Sequence, residues 1–313
     1  MLRMRALRPL ILALGAISVG ACAIEGASPG PGSSNGDGIF TVVVSPVLAV
    51  GPNRFIYSVI DAADNRPMGL PDRPSTVRFL PPGEDGPNGP DGSAIEVQAD
   101  FIWAIDEVSG LYVARVSFER SGEWRADIEV SGSDIGRTTS ETRFTVVAAR
   151  PGVGVGSAAP PVDNPTATDV GGNLRLLTTD VAPEPRFYAH SVAELLAEHV
   201  PFVLAFASPG FCTTGTCGPA VERLKSASRT FPSVAFIQIE SYAEHVVNGR
   251  LQPLLDAAGN LQESAAFAAY GLPTETAVLV VDASGTIRDI FDVTVGAGEV
   301  QASLRSLGVE GGT

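Results

Sequence analysis

The feature that most constrains this chain is a break in its pattern. Residues 148 to 170, AARPGVGVGSAAPPVDNPTATDV, are proline, glycine and alanine with almost no charge. Such a stretch continues neither a helix nor a ladder of strands, so it divides the 313 residues into two unlike parts. Ahead of it, residues 39–147 carry the short alternating runs IFTVVVSP, RFIYSVIDA, STVRFLP, GLYVARVSF, EWRADIEV and TRFTVV, separated by Gly, Pro, Asp and Asn clusters. A period of two with such punctuation predicts half-buried strands and an all-β domain. Behind it, from Asn173, strand-like and helix-like runs alternate.

The β domain is expected to be an immunoglobulin-like sandwich of two stacked sheets. In Leu111 to Phe118 the residues Tyr112, Ala114, Val116 and Phe118 form the more apolar face and are assigned to its core. Trp103 and Trp124 are assigned to the core as well. The acidic loop Gly83 to Ser93 offers Asp85, Asn88 and Asp91 without the spacing of a calcium loop, and is read as solvated. With no histidine, no cysteine and Met68 as its single methionine, this domain lacks the ligands for copper.

In the second part, Ser191-Val192-Ala193-Glu194 is a capping box that opens a short helix, and Pro201 precedes the buried strand FVLAFAS. Pro219 suits the first turn of a helix that continues through AVERLKSASRTF. Val234 to Ile239 is a second buried strand. A helix-prone stretch then carries Leu251, Leu254 and Leu255 on one face, AVLVVDASGTIRDIFDV gives two strands about the turn Ala283-Ser284-Gly285, and EVQASLRSL closes as a helix.

The N-terminus fixes the compartment. Arg3, Arg5 and Arg8 precede an apolar run from Leu10 that is too short to cross a bilayer, which takes roughly 20 residues, so an export signal is expected over residues 1–21. Val19-Gly20-Ala21-Cys22 resembles a bacterial lipobox, which implies acylation of Cys22 and a lipid-anchored protein of the cell envelope, outside the cytoplasm; an ordinary secretory signal cut near Ala21 or Ala23 is the other reading. Residues 22–38 read as a flexible tether. Losing the signal leaves 18 basic against 35 acidic residues, a net charge of −17, which excludes nucleic acid as a partner and suits a soluble exported surface.

With Cys22 acylated, Cys212 and Cys217 are the pair left in an oxidising compartment, and a disulfide between them is the expected resting state. Cys217 precedes Pro219 at a helix start, where unpaired N–H groups favour a thiolate, so it is read as the attacking thiol with Cys212 resolving. A closed loop this short stabilises by about 2 kcal/mol in the chain-entropy model, enough for a structural staple that never turns over. No cofactor or metal is called for, and the expected partners are exported protein thiols or disulfides together with the membrane.

The run VLAFASPGFC, the CGP of Cys217-Gly218-Pro219 and the stretch GLPTETAVLVVDASG together resemble the thioredoxin superfamily over roughly Phe187 to Leu307, within a domain expected over residues 171–313. The resemblance implies an α/β thioredoxin-like fold behind the sandwich and a thiol–disulfide oxidoreductase working through Cys212 and Cys217. It also implies a cis Pro273 that, with Leu272, shapes the groove for a partner's extended chain. Four residues instead of two separate the cysteines, Ala220 stands where the second cysteine is usual, and Ala205 where a buried aspartate is common. Two further readings stand beside it. One is a non-catalytic adapter with a structural disulfide; the other is copper delivery by Cys212, Cys217 and His245, with His190 and His199 placed at the surface.

Overall fold

The computed structural model describes residues 38–83 and 94–312. The lipobox with Cys22, the tether up to residue 37 and the acidic residues Asp85, Asn88 and Asp91 lie outside the described residues. The described residues belong to one compact unit.

Eight strands come first: β1 (Ile39–Val43), β2 (Leu48–Ala49), β3 (Gly51–Asp61), β4 (Ser75–Leu80), β5 (Ile95–Ile105), β6 (Ser109–Phe118), β7 (Gly122–Gly132) and β8 (Gly136–Val147). They form a single curled sheet in the order β1-β3-β6-β5-β4-β7-β8-β2, antiparallel except where β2 runs parallel to β8. The expected pair of stacked immunoglobulin-like sheets is therefore corrected to one continuous sheet. The cause is β5, which pairs with β4 through Ile95–Ala99 and with β6 through Asp100–Ile105, joining two halves that would otherwise be separate. The concave side holds Phe55, Phe79, Phe118, Trp124 and Phe144 together with Tyr112, Ala114 and Val116, so the predicted core face of β6 points inward. Trp124 is buried and its indole N–H donates to the Arg120 carbonyl at 3.0 Å; Trp103 is half-buried, edge-on to Phe101.

The rest of the chain contains α1 (Val192–Ala197), β9 (Phe202–Phe206), α2 (Cys217–Thr230), β10 (Ala235–Ile239), β11 (Glu244–Val247), β12 (Arg250–Pro253), α3 (Ala265–Tyr270), β13 (Ala277–Val281), β14 (Ile287–Asp292) and α4 (Glu299–Ser306). A four-stranded sheet runs β10-β9-β13-β14. The expected α/β thioredoxin-like fold is overturned: the described residues are mostly β, dominated by the curled eight-stranded sheet, with only 15% helix among them. Among the described residues, three of the four α-helices are no longer than eight residues. The helix expected around Leu251, Leu254 and Leu255 is replaced by the β11–β12 ribbon, because Asn248 and Gly249, at φ 51° and 74°, form the left-handed turn that closes a hairpin. Nor is Pro273 cis, since the described residues contain no cis peptide bond.

The capping box at Ser191 is present, with Glu194 N–H donating to Ser191 Oγ at 3.2 Å. Residues 148–170 do not hang free: Val153 N–H donates to the Tyr270 carbonyl at 2.9 Å, Ala159 N–H to Gly285 at 2.9 Å, and Ala159 is buried. The outer face of β3, β5 and β6 buries Ile56, Ile102, Ala104, Leu111 and Val113, with Val293 against them. Gly296 approaches so closely that a Cβ there would lie 2.7 Å from Ile102. Glu299 completes the contact, accepting from Arg54 Nη2 at 2.6 Å and from Arg115 at 2.9 Å.

Candidate functional site

Two cysteines meet at the start of α2. β9 is apolar along its whole length and buried, which fixes the exit of the chain into the loop Pro209–Thr216. Cys212 lies in that loop, Cys217 is the first residue of α2, and the two form a disulfide with Cα atoms 6.0 Å apart. Their surroundings differ. Cys217 has no exposed surface; it packs on Ala207 and Val221, with its Sγ 3.1 Å from the Thr276 hydroxyl. Cys212 is half-buried, and its Sγ receives the backbone N–H of Cys217 at 3.2 Å. The helix-terminal N–H thus serves Cys212 rather than Cys217. The sequence pointed to Cys217 as the attacking thiol, but of the two cysteines Cys212 is the one with exposed surface.

The group that organises the loop is Glu275, which sequence reasoning passed over. Its Oε1 accepts the N–H of Thr213 at 2.9 Å, the N–H of Thr214 at 2.7 Å and the Thr213 hydroxyl at 2.9 Å, while the Tyr242 hydroxyl donates to Oε2 at 2.5 Å. The backbone carbonyl of Glu275 accepts from Ser241 Oγ at 2.5 Å. The same carboxylate lies 3.6 Å from Sγ of Cys212. Burial pushes the Glu275 carboxyl up, but donation from Tyr242, Thr213 and Thr214 outweighs it and holds the group below the usual carboxylate range. Tyr242 moves the other way, raised by its burial and by the neighbouring Glu275 charge. One signal in the sequence pointed to Glu275: an acid abutting the fully apolar strand AVLVV has to find donors if it is buried.

Cys212, Cys217 and Glu275 bring ligand-type atoms within 4.8 Å of one another. The sulfurs are joined and the carboxylate is already met by four donors, so the set as it stands is closed to a metal. His245 is exposed on β11 and is not one of this group; His190 and His199 are exposed too. Of the residues expected to form a partner groove, Leu272 is buried in the core with Phe206 and Tyr270, and Pro273 is half-buried. The part of that turn that meets the cysteine loop is Glu275 and Thr276.

A second polar network supports the loop from below. Gly210 N–H donates to Thr179 Oγ1 at 2.8 Å, and Thr179 Oγ1 lies 3.0 Å from both oxygens of Glu240, which also accepts from Thr179 N at 2.7 Å and from Thr178 Oγ1 at 2.9 Å. Gln238 Nε2 donates to the Ala207 carbonyl at 2.7 Å, and the Tyr188 hydroxyl bonds its Oε1. Beside Glu240 stands Glu244, pushed up to about 8 by burial and by the Glu240 charge. Glu240 is raised as well, chiefly by burial.

A cleft of about 630 Å³ lies elsewhere, lined by Arg54, Arg115, Arg150, Asp289 and Asp292 among others. Glu299 pairs with both Arg54 and Arg115, and Asp292 with Arg150, which offsets most of their charge. No helix of the described residues is long and apolar enough to cross a membrane.

No family model matches the chain, and no curated protein does. Among solved structures, it is similar to a putative glycoside hydrolase from Bacteroides vulgatus ATCC 8482, at 12% identity and a TM-score of 0.21 over 70% of this chain and 34% of that one. It is also similar to MtrC from Shewanella baltica OS185, at 11% identity and a TM-score of 0.23 over 80% of this chain and 51% of that one. The chain thus spans from a third to a half of these proteins, and likeness at that level carries no argument about function.

Proposed function

We propose that this protein is an exported thiol–disulfide oxidoreductase, held at the cell envelope through Cys22, in which Cys212 exchanges with partners and Cys217 resolves. The observation that carries the reading is the asymmetry of the pair: Cys212 is only partly buried and its sulfur accepts a helix-terminal N–H, whereas Cys217 is fully buried against a threonine hydroxyl. In the reducing direction for the pair, a partner thiolate attacks Sγ of Cys212 and the Cys212–Cys217 bond breaks. Cys217 leaves as a thiolate, stabilised by the Thr276 hydroxyl, and takes up a proton. A second partner thiolate then attacks the partner sulfur of the mixed disulfide; Cys212 departs and is protonated, and the partner leaves oxidised by two electrons.

The test is a mixed disulfide. Cys217→Ser removes the resolving thiol, so incubation of the reduced variant with an oxidised exported protein should accumulate a covalent adduct at Cys212, while pre-reduced wild type closes to the Cys212–Cys217 disulfide and releases the partner reduced by two electrons. A second reading, a structural staple, is favoured by the Glu275 clamp on Thr213 and Thr214, which orders the loop. It predicts no adduct and a disulfide that stays closed at potentials below roughly −300 mV.

A further inference from the structure

We propose that Glu275 selects the charge of what reacts at Cys212, so that thiols and disulfides carried on cationic or neutral groups are accepted and anionic ones are excluded. This rests on the oxidoreductase reading for its biological meaning, although the electrostatic effect itself can be measured without it.

The geometry is direct. Sγ of Cys212, the only partly buried cysteine of the pair, has a carboxylate oxygen 3.6 Å away. That carboxylate is fixed rather than mobile: the N–H groups of Thr213 and Thr214 and the hydroxyls of Thr213 and Tyr242 hold both of its oxygens. Neutral donors leave the negative charge in place, whereas an arginine or lysine partner would have cancelled it. Glu275 is only 6% exposed, so water screens it less than it would a surface acid.

The turn between β5 and β6 adds to the same side. Ile105 Cδ1 would lie 3.5 Å from a Cβ on Gly215, which places this turn against the cysteine loop. Its Asp106 is paired with Arg223 at 2.5 Å, but the next residue, Glu107, is exposed and brings a further negative charge. An attacking thiolate or a disulfide substrate has to bring its sulfur to Sγ of Cys212, and a unit charge on that molecule then sits within several ångströms of Glu275. At an effective dielectric between protein and water this changes an encounter rate by about tenfold in each direction.

The experiment isolates Cys212. In the full chain carrying Cys22→Ser and Cys217→Ser, the Cys212 thiolate attacks the sulfenyl sulfur of a methanethiosulfonate reagent, forming a mixed disulfide and releasing methanesulfinate. Rates are measured with the trimethylammonium-ethyl reagent and with the sulfonato-ethyl reagent, and their ratio is compared with that of a small neutral thiol. The cationic preference should exceed the reference by at least tenfold, shrink in 1 M salt, where the Debye length is roughly 3 Å, and collapse toward the reference in Glu275→Gln. A ratio equal to the reference, or one that Glu275→Gln and salt leave unchanged, overturns the proposal. So does a Cys212 that reacts with neither reagent, because charge selection needs a reachable sulfur. Should Glu275→Gln fail to fold, the salt series on the parent decides. The oxidoreductase reading stands or falls separately on the protein adduct at Cys212, so a charge bias without such an adduct would reject that reading and leave the electrostatic finding intact.

Discussion

The backbone N–H of Cys217 points at Sγ of Cys212 across 3.2 Å, from the first residue of a 14-residue helix. The amide end of α2 is therefore spent on the sulfur of the other cysteine, the one that lies in the loop, while the sulfur of Cys217 turns inward. There it is enclosed by Ala207 and Val221, with the Thr276 hydroxyl 3.1 Å away.

Alkylation of the reduced protein follows from this. Iodoacetamide should modify Cys212 well before Cys217, by on the order of a hundredfold in rate, since only Cys212 has exposed surface in the folded state. Peptide mass mapping of a time course checks it. Equal rates, or Cys217 first, would restore the sequence-based assignment of the nucleophile.

Glu275 should tie loop order to acid stability. A carboxyl held below its ordinary value contributes stability that is present above the unfolded value, near 4.5, and is lost as the pH falls through the folded one. Urea denaturation of wild type and Glu275→Gln should thus show a constant difference above about pH 5 that narrows below it. Glu275→Ala, which leaves the donors of Thr213, Thr214 and Tyr242 without their acceptor, should cost about 3 kcal/mol at neutral pH.

The Glu240–Glu244 pair has the opposite sign. Glu244 is raised from 4.5 to about 8, so its contribution is fully present in acid and is lost as the pH climbs through that interval. Glu244→Gln should accordingly gain on wild type between pH 5 and 8, by roughly 2 kcal/mol at the upper end, with little further change above it. Parallel melting curves for the two proteins across this range would contradict the raised carboxyl of Glu244.

How much of this could be read in advance depends on how local each determinant is. The disulfide, the capping box at Ser191, the helix start around Pro219 and the inward face of β6 are set within a few residues, and the sequence displayed them. β5 was not legible. Its end, FIWAI, has lost the period of two because both faces are covered: Phe101 by the curled sheet's own core, Ile102 and Ala104 by Val293 and its neighbours, about 190 positions away. That one strand decides between two stacked sheets and one continuous sheet. The β11–β12 ribbon was legible through Asn248-Gly249, a hairpin pair, but the leucine spacing drew the reading toward a helix. The motifs that suggested a thioredoxin-like fold located the cysteine loop and the turn facing it, yet they did not carry the architecture around them. Glu275 escaped because its donors come from residues 213, 214 and 242, which only the tertiary structure assembles.

The contact between the curled sheet and the four-stranded sheet gives the last prediction. Arg54 is 8% exposed and donates to Glu299 through Nε at 3.2 Å and Nη2 at 2.6 Å, while its Nη1 donates to the carbonyls of Asp292 at 3.1 Å and Thr294 at 2.9 Å. Glu299→Ala removes the carboxylate and leaves a buried guanidinium with its carbonyl partners alone, and it strips Arg115 and the Gly296 N–H of the same acceptor. Breaking one partner of a buried pair is costly even where the intact pair adds little net stability, so a loss of about 3 kcal/mol is expected. The loss should fall on the contact rather than on either sheet's interior, because the side chains packed there, Ile56, Ile102 and Val293, form a cluster separate from the three large cores. Thermal unfolding of Glu299→Ala followed by Trp fluorescence, which reports Trp103 and Trp124 in the curled sheet, and by far-UV circular dichroism should then give midpoints that separate, where wild type gives one. The Cys212–Cys217 bond should also become easier to reduce, since Ile105 and Asp106 reach the cysteine loop and α2 across this same contact. Coincident midpoints and an unchanged reduction rate would show that the two sheets are held together by apolar packing alone.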